Sequence, residues 1–536
     1  MTAKQYKIGI DVGGTNTDVV VLDEANRVAA SVKSATTLDV QEGIFNGIQS
    51  VLEQSKIDTS AIAYVSLGTT HATNAIIRRK LLSHVAVVRI CLPAGKGVPP
   101  LTDWHADLME AMGATSYFVH GGFEFDGRPL AGKHLDRAEC LAVLDEIKAA
   151  GAESIAVCSI FSPVNASHEQ EFAEMAREVL GPDVSITLSS EIGSLSLLER
   201  ENSTVLNASV VGVARRAAEG LMEALERFGI KTKVFFAQND GTLMALDYAI
   251  RYPILTIGSG PTNSLRGAAF LSGLKDCIVA DIGGTSTDVG IMVNGFPRQS
   301  AVAVEVGGVL TNFRMPDLIS IGLGGGSIVT VDNGEIQIGP DSVGYEITKK
   351  AVCFGGDTLT ATDIAIAAGV ARIDAPNCDP TRLAHLDPGF VKQAMDKIIE
   401  LVAGACDRIK TSTAPLPVVL VGGGSLLVPP HVPGIGEIIR PENFGCANAI
   451  GAATADASGE VDELWSLVNT SREEAIRQAR EQAVQKAIEM GADPRATEIV
   501  DMELVPLTYL PGNVIRIKVK AAGPLRFGVN KDCVSR

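Results

Sequence analysis

The chain carries nearly the same nine residues twice. Residues 11–19 read Asp-Val-Gly-Gly-Thr-Asn-Thr-Asp-Val and residues 281–289 read Asp-Ile-Gly-Gly-Thr-Ser-Thr-Asp-Val. The copies differ only where Val12 answers Ile282 and Asn16 answers Ser286. Apolar runs flank each copy (Lys7–Ile10 and Val19–Leu22; Ile278–Ala280 and Val289–Val293), so each is predicted to be a strand, a glycine turn and a second strand. A chain with two such hairpins is expected to have two similar halves with a cleft between them.

The turn chemistry is specific. Gly13, Gly14, Gly283 and Gly284 allow backbone angles closed to other residues and let a ligand approach the main chain. Successive N–H groups in such a turn form an anion-binding concavity. Asn16, Thr15, Thr17, Thr285, Ser286 and Thr287 add polar groups, mostly hydroxyls. Asp11 and Asp281 stand at the strand ends beside this cradle. A carboxylate next to bound phosphate calls for a cation between them, and Mg2+ suits one or two carboxylates plus phosphate oxygens. Asp11 and Asp281 are thus the expected metal-holding residues, and with Thr15 and Thr285 the candidate catalytic ones. Asp18 and Asp288 follow, placed to orient water or the turn itself. A single Asp-Gly-Gly-Thr would fit an ordinary tight hairpin; the duplication with matched hydroxyls favours phosphate binding.

At 536 residues the chain exceeds one typical core, so several domains are expected. Hydrophobic residues make up 46% and charged residues 20%, a balance that excludes a disordered chain. The net charge of −17 argues against a continuous nucleic-acid surface. No apolar run reaches membrane-spanning length, and the polar start runs directly into the first strand, so the expectation is a cytoplasmic protein with no nucleic-acid or membrane partner. The nine cysteines are scattered singly, without a Cys-x-x-Cys pair, as expected of buried apolar residues in a reducing setting.

Strands and helices alternate, which predicts stacked α/β layers. The opening is read as strands at 6–11, 17–22 and 28–33, a helix over about 41–54, a strand at 63–68, a helix over about 71–80 and a strand at 84–90. The second half repeats it with strands at 278–282, 287–293 and 298–305, Asn294-Gly295 being a strong hairpin signal. Helices are expected near 360–370, 389–409 and 447–455, with a strand at 417–421. Five units follow: a first lobe over 1–90, an inserted α/β subdomain over 91–190, a long helix (194–228) and connection closing the first lobe over 191–273, a second lobe over 274–455, and a C-terminal helix plus β-hairpin over 456–536. In the last unit Ser471-x-x-Glu474 is a capping box. Ala475, Ala479, Ala483 and Ala487 share one helix face, read as close packing onto the body or as a docking surface for another chain. Pro511-Gly512 separates two strands, and Arg516, Lys518 and Lys520 alternate with Ile515, Ile517 and Val519, which predicts one solvated face.

Other glycine runs admit two readings each. Gly422, Gly423, Gly424 and Ser425 end a buried strand and suit a nucleoside lying over the backbone, or a plain strand-to-helix connection. Gly324, Gly325 and Gly326 form a second cradle or a mobile loop. Thr69, Thr70, His71 and Asn74 open a helix, where anions are attracted, and are candidate substrate contacts; His71 is a general base or a hydrogen-bonding residue of the helix start. Asp240, in Gln-Asn-Asp-Gly at 238–241, is expected to face the cleft.

These segments resemble the A-type (N-methylhydantoinase A-like) subunit of the hydantoinase/oxoprolinase family, of the actin-like ATPase, sugar kinase and Hsp70 (ribonuclease H-like) superfold. The match runs through 11–18, Gly-Thr-Thr-His-Ala-Thr-Asn-Ala (68–75), Leu-Glu-Arg-Glu-Asn-Ser-Thr-Val-Leu-Asn-Ala (198–208), 238–241, Gly-Ser-Gly-Pro (258–261), 281–289 and Ile-Gly-Leu-Gly-Gly-Gly-Ser (321–327), within about 5–455. The resemblance implies an ATP-dependent hydrolase that phosphorylates the carbonyl of a cyclic amide or imide so that water opens the ring, acting with a second, B-type subunit. It implies ATP and Mg2+ as cofactors, Asp11 and Asp281 holding Mg2+ through water, and 422–425 against the adenosine. Carboxylase subunits that activate ketones, small-molecule kinases and regulatory ATPases are the alternatives. Two departures stand out. Where relatives continue Gly-Pro-Ala-Gly-Gly, this chain has Gly-Pro-Thr-Asn-Ser at 260–264, and it is shorter than the usual subunit, with residues after 455 outside the resemblance.

Overall fold

The computed structural model describes residues 6–13, 16–35, 40–132, 134–193, 196–300, 304–313, 315–375, 377–468, 470–508 and 513–526. In chain order the strands are β1 (Tyr6–Val12), β2 (Asn16–Leu22), β3 (Val28–Ala35), β4 (Ile62–Thr69), β5 (Val85–Leu92), β6 (Thr115–His120), β7 (Ser154–Ser159), β8 (Ser185–Leu188), β9 (Lys233–Ala237) and β10 (Leu243–Ala245). There follow β11 (Cys277–Ile282), β12 (Thr287–Val293), β13 (Phe296–Pro297), β14 (Glu305–Val306), β15 (Val309–Leu310), β16 (Leu318–Ile321), β17 (Ser327–Asp332), β18 (Glu335–Ser342), β19 (Val418–Val421), β20 (Ile438–Ile439), β21 (Ala457–Ser466), β22 (Glu498–Leu507) and β23 (Val514–Gly523).

The duplication read in the sequence is a duplication of topology. In the first sheet the order β3-β2-β1-β4-β9 sets two antiparallel pairs beside two parallel ones. In the second sheet β16-β12-β11-β19-β20 repeats that arrangement. Asn294 and Gly295 both take positive φ (52° and 83°) in the tight turn into β13, as the hairpin signal requires. The strand that follows β12 in the second sheet's matching order is β16; of the strand expected at 298–305, residues 301–303 lie outside the described residues, and Glu305 opens β14 of a separate two-stranded ribbon.

Strand alternation decides which layer lies on which face. Ile8, Ile10, Val19 and Val21 pack with Ile44, Ile48 and Leu221 of the helices Val40–Ser55 and Leu198–Arg227. Val20 and Leu22, on the opposite face, meet Ala449, Ile450 and Ala453 of the helix Ala447–Thr454. In the second sheet Ile278, Ala280 and Leu420 pack on Ala394, Ile398 and Val402 of the helix Pro388–Arg408. Val279 and Val419 pack on Leu265 and Ala268 of the helix Ser259–Ser272. The helices 259–272 and 447–454 therefore lie between the two sheets. Their backbones touch because glycine stands at the contacts: a Cβ on Gly267 would come within 1.9 Å of the Ala447 carbonyl oxygen, and one on Gly451 within 1.9 Å of that of Asn263.

The inserted unit has a parallel sheet of order β6-β5-β7-β8. It begins with β5, so the strand expected at 84–90 belongs to the insertion and not to the first lobe: it pairs with β6 and β7. The C-terminal stretch joins the first sheet as β22-β23-β21, continuing from β10. Ala475, Ala479, Ala483 and Ala487 are fully buried against this extension, where Gly459 admits the helix backbone. The alanine face is internal packing, which overturns the docking reading. The solvated face predicted for 516–520 is corrected as well: Arg516 pairs with Asp462, Lys518 with Glu460 and Lys520 with Asp240, and both lysines are buried. Pro511 and Gly512 lie outside the described residues. Among the described residues Cys378 is half-buried and the other cysteines are buried, and no helix is long and apolar enough to cross a membrane.

Candidate active site in the interlobe crevice

The two glycine elbows close on the same backbone hydrogen bond. The Gly13 N–H donates to the Asn16 carbonyl at 2.9 Å, and the Gly283 N–H to the Ser286 carbonyl at 2.9 Å. Asp11 stands opposite Asp18 in the β1–β2 register, as Asp281 stands opposite Asp288 in β11–β12. Each elbow is flanked by a glycine at the end of the parallel neighbour strand. A Cβ on Gly68 would lie 2.4 Å from Asp11 Oδ1, and one on Gly422 (φ 80°) 2.2 Å from Asp281 Oδ1. Both carboxylates thus occupy space that any other residue at 68 or 422 would fill.

One helix reaches both carboxylates. On the helix Ser259–Ser272, Asn263 Nδ2 donates to Asp11 Oδ1 at 3.2 Å and the next residue, Ser264, donates its hydroxyl to Asp281 Oδ2. Asn448 Nδ2, from the helix Ala447–Thr454, donates to Asp11 Oδ2 at 3.4 Å. Burial is the main cause that lifts the Asp11 carboxyl to about 6; the charges of Asp18 and Asp281 add to it and the two amides oppose it. Asp281 is likewise lifted to about 6 by burial, aided by Asp288 and Asp18 and opposed by Ser264 and Lys33. One helix thus stands within hydrogen-bond reach of both carboxylates. Lys33 Nζ, on β3, donates to Asp18 Oδ2 at 2.9 Å and to the Gly445 carbonyl at 3.1 Å, tying the first sheet to the start of the helix Ala447–Thr454.

The donor set fits a hard cation and a polyphosphate. Two facing carboxylates of raised pKa are destabilised as anions until a cation neutralises them, and carboxylate and carboxamide oxygens are the ligands such a cation takes. Asp18 Oδ1, Asn263 Oδ1 and Ser425 Oγ are buried without a hydrogen-bond partner, the kind of orphan that a ligand or water satisfies. No group of three or more His, Cys, Asp or Glu able to hold a metal occurs among the described residues.

The expected ligand contacts separate into distinct groups. Gly284 and Thr285 are exposed at the mouth of the second elbow, and Ser286 and Asn16 are half-buried beside the turns. Gly14 and Thr15 lie outside the described residues. Thr17 is buried, and Thr287 is buried with its hydroxyl donated to the Leu323 carbonyl at 2.6 Å. Gly324, Gly325 and Gly326 form neither an open cradle nor a free loop. Their N–H groups go to Ser327 Oγ, to the Gly283 carbonyl at 2.9 Å and to the Gly284 carbonyl at 2.7 Å, so the run braces the second elbow from behind. In the other run, Gly424 packs against the Gly283 carbonyl, Ser425 is buried, and Gly423 is exposed with open space before it. Of Gly422–Ser425, Gly423 is the position open to a nucleoside.

The candidate substrate residues are drawn inward. The Thr70 hydroxyl donates to the Val12 carbonyl at 3.3 Å, and Asn74 Nδ2 to Thr70 Oγ1 at 3.2 Å, which moors this helix start to the first elbow. Thr69 is buried, and its hydroxyl bonds His71 Nδ1. Burial lowers the pKa of His71, so the ring is neutral near pH 7. Asp240 carries an ion pair to Lys520 at 2.6 Å and accepts the Thr242 N–H and hydroxyl at 2.9 and 2.6 Å. Burial would raise its pKa, but Lys520 and the Thr242 donors hold it low. Oδ2 is thus committed to the C-terminal extension and Oδ1 to its own turn. Lys33, Asn448 and Gly68 carry no site signal of their own in the sequence, and Asn263 and Ser264 stand out there only as departures from the family pattern. Extending the hairpin register by one strand places Lys33 beside Asp18, so that signal was present; the reach of Asn448 depends on a long-range helix contact that no local pattern announces.

Two sheets of one topology, a glycine elbow on each and a helix pair between them define the two-lobed actin-like ATPase, sugar kinase and Hsp70 fold. Within that class, the model of the hydantoinase/oxoprolinase N-terminal region matches residues 7–180, and the hydantoinase/oxoprolinase model matches residues 200–406. The chain belongs to the hydantoinase/oxoprolinase family.

Among its relatives, caprolactamase subunit alpha of Pseudomonas jessenii is 28% identical over 411 residues, 69% of this chain and 55% of that protein. The acetophenone carboxylase gamma subunit of Aromatoleum aromaticum is 24% identical over 409 residues, 68% of this chain and 53% of that protein. The 5-oxoprolinase of Saccharomyces cerevisiae is 26% identical over 417 residues, 69% of this chain and 32% of that protein. The chain thus spans about half the length, or less, of these curated relatives. The crystal structure of the ATP-dependent caprolactamase from Pseudomonas jessenii superposes with TM-score 0.76 at 20% identity, covering 97% of this chain and 88% of that one. Nucleotide-free acetone carboxylase gives TM-score 0.66 at 17% identity with the same coverage. Such coverage exceeds what residues 5–455 alone can supply, so the shared fold runs on into the C-terminal extension.

Proposed function

We propose that this chain is the ATP-using subunit of an enzyme that activates the carbonyl of a cyclic amide or imide for hydrolytic ring opening. One observation supports the reading: in two matched hairpins Asp11 and Asp281 each stand beside a glycine turn and accept hydrogen bonds from adjacent residues of one helix, Asn263 and Ser264. The terminal phosphoryl group of ATP passes to the amide oxygen, a first water adds to the carbon and the C–N bond breaks to give an acyl phosphate. A second water releases phosphate and leaves the ring-opened acid, an amino acid from a lactam and an amido acid from an imide. Mg2+, when bound, supplies charge neutralisation between the carboxylates and the phosphates. Asp11 and Asp281 hold that cation; Gly13, Gly283 and the exposed Thr285 meet the phosphates; and Gly423 lies against the nucleoside. The neutral His71 and Asn74 fix the helix start beside the first elbow. Several relatives are named as subunits, which supports a second chain that supplies the hydrolytic half.

The test is ATP consumption by the purified protein against hydantoins, lactams and 5-oxoproline, alone and with the product of a neighbouring gene. Substrate-stimulated release of ADP and a ring-opened product is expected; no stimulation by any ring in either setting refutes the reading. The carboxylase subunits among the relatives favour one second reading, the same carbonyl activation applied to a ketone. It predicts ATP turnover that depends on bicarbonate and ketone and yields a carboxylated product.

A further inference from the structure

Consecutive residues on a helix point about 100° apart, so they seldom serve one site. Asn263 and Ser264 do, because their helix lies between the sheets: Asn263 donates to the carboxylate of β1 and Ser264 to that of β11. The helix is fixed in depth. A Cβ on Gly451 would strike the Asn263 carbonyl oxygen at 1.9 Å, and one on Gly267 would strike that of Ala447 at 1.9 Å, so backbone meets backbone on both sides of the pair. Both side chains are buried, Asn263 at 1% and Ser264 at 0% exposure. An ionised carboxylate only accepts hydrogen bonds, so Asn263 must turn Nδ2 to Asp11. Its Oδ1 is then left beside that carboxylate, buried and without a partner. Carboxamide oxygens are ordinary ligands of hard divalent cations.

We propose that Asn263 and Ser264 complete the cation site: Ser264 as the positioning residue for Asp281, and Asn263 as the positioning residue for Asp11 that also turns its carboxamide oxygen to the cation. This rests on the reading of Asp11 and Asp281 as the cation-holding pair. It gives the departure at 263 and 264 a function, since Asn263 and Ser264 reach the two carboxylates, while Thr262 donates to the Asn239 and Gly258 carbonyls. Three protein oxygens from two lobes and one connecting helix then define the site, with phosphate and water filling the other positions.

The experiment is Mn2+ titration of the full chain with a non-hydrolysable ATP analogue, by calorimetry and by the electron paramagnetic resonance signal of free Mn2+. Asn263→Ala is expected to weaken Mn2+ about tenfold, and Ser264→Ala several-fold, the size seen when residues supporting a metal site are removed. ADP affinity in the presence of a chelator stays unchanged in both, which a general structural loss would not allow. Asn263→Asp keeps an oxygen at nearly the same volume but replaces the Nδ2 donor to Asp11 by an anion whose repulsion a bound cation relieves, so it is expected to lose stability without metal and to bind Mn2+ at least as tightly as the wild type; it decides the matter if the alanine variant lacks a cooperative melt. Wild-type Mn2+ affinity in Asn263→Ala, or an Asn263→Asp variant weakened about tenfold, overturns the proposal and leaves the cation reading of Asp11 and Asp281 standing. A wild-type protein that binds the nucleotide but no Mn2+ overturns both.

Discussion

The two elbows share a sequence and a turn, but they are held in different ways. The second has a main-chain brace, Gly325 and Gly326 donating to the carbonyls of Gly283 and Gly284, in addition to the hydroxyls of Ser264 on Asp281, Ser320 on Asp288 and Ser342 on the Gly284 carbonyl. The first is held by side chains: Lys33 on Asp18, Thr70 on the Val12 carbonyl, Asn448 on Asp11. A duplicated motif thus records a common chemical task, while the support around each copy has diverged. Main-chain support tolerates no added atoms. Side-chain support can be dismantled one group at a time.

The sharpest way to break the comparison is to remove the carboxylates themselves. Asp11→Ala and Asp281→Ala should each lower ATP turnover by about a thousandfold or more, a loss of the order seen when a group stabilising transition-state charge is deleted. Steady-state ADP release measures it. Equal losses would show that the different supports serve equivalent charges; a variant at either position that keeps its rate removes that residue from the proposed chemistry.

Next in size is a substitution that only the second elbow should feel. A Cβ on Gly324 would stand 2.5 Å from the Thr285 N and 2.6 Å from the Gly284 carbonyl carbon, and neither is the end of a flexible side chain. Gly324→Ala should cost about 1–3 kcal/mol, the usual range for overpacking, and weaken nucleotide binding. Denaturant titration and analogue binding check both. At the first elbow the matching intrusion, Gly68→Ala, meets Asp11 Oδ1 and Asn263 Nδ2, which can move. It should therefore lose more cation affinity than stability.

Protonation offers a third comparison. Asp11 and Asp281 are both raised to about 6 from an ordinary 3.8, chiefly by burial. An acid raised on folding binds more protons in the native state, so stability is greatest below the unfolded pKa and falls as pH rises through the folded one. Without a cation, the wild type should lose stability relative to Asp11→Asn between about pH 4 and 6 and then level off, by up to about 3 kcal/mol. Saturating Mg2+ and nucleotide should remove the difference. A wild type that gains on the variant across this window has the sign wrong.

How much of this was legible in the sequence depends on what kind of contact carried it. The elbows and the doubled topology were legible because both follow from local pattern: apolar runs, paired glycines, alternation, Asn294-Gly295. The matched placement of Asp11 and Asp281 in the two hairpins was legible for the same reason. The role of Gly324–Gly326 was not, because a glycine run marks space without telling whether a ligand or another backbone fills it; here the backbone of Gly283 and Gly284 does. Asp240 misled for a related reason. Its polar setting signalled a site, but the partner that fills it, Lys520, arrives from the far end of the chain through a strand extension. Lys518 and Lys520 looked solvent-facing by alternation, yet acids on neighbouring strands allow them to be buried.

The smallest effect tests the side-chain support of the first elbow alone. Lys33→Met keeps the length of the side chain and removes its charge, so Asp18 Oδ2 loses its donor while Asp18 Oδ1 already has none. Lys33 is 44% exposed, so solvent screens the pair, and the expected cost is only about 1 kcal/mol at neutral pH and low salt. The pH dependence identifies the cause. Burial already raises the Asp18 pKa and Lys33 opposes that rise, so the variant's Asp18 takes up a proton at higher pH. The deficit should be full where the wild-type Asp18 is ionised and shrink as pH falls, because the lysine then has no anion to pair with. It should also shrink in high salt. Thermal melts of both proteins across pH 4 to 8 measure it. A deficit that ignores pH and salt would mean that Lys33 acts through its contact with the Gly445 carbonyl and not through the charge of Asp18.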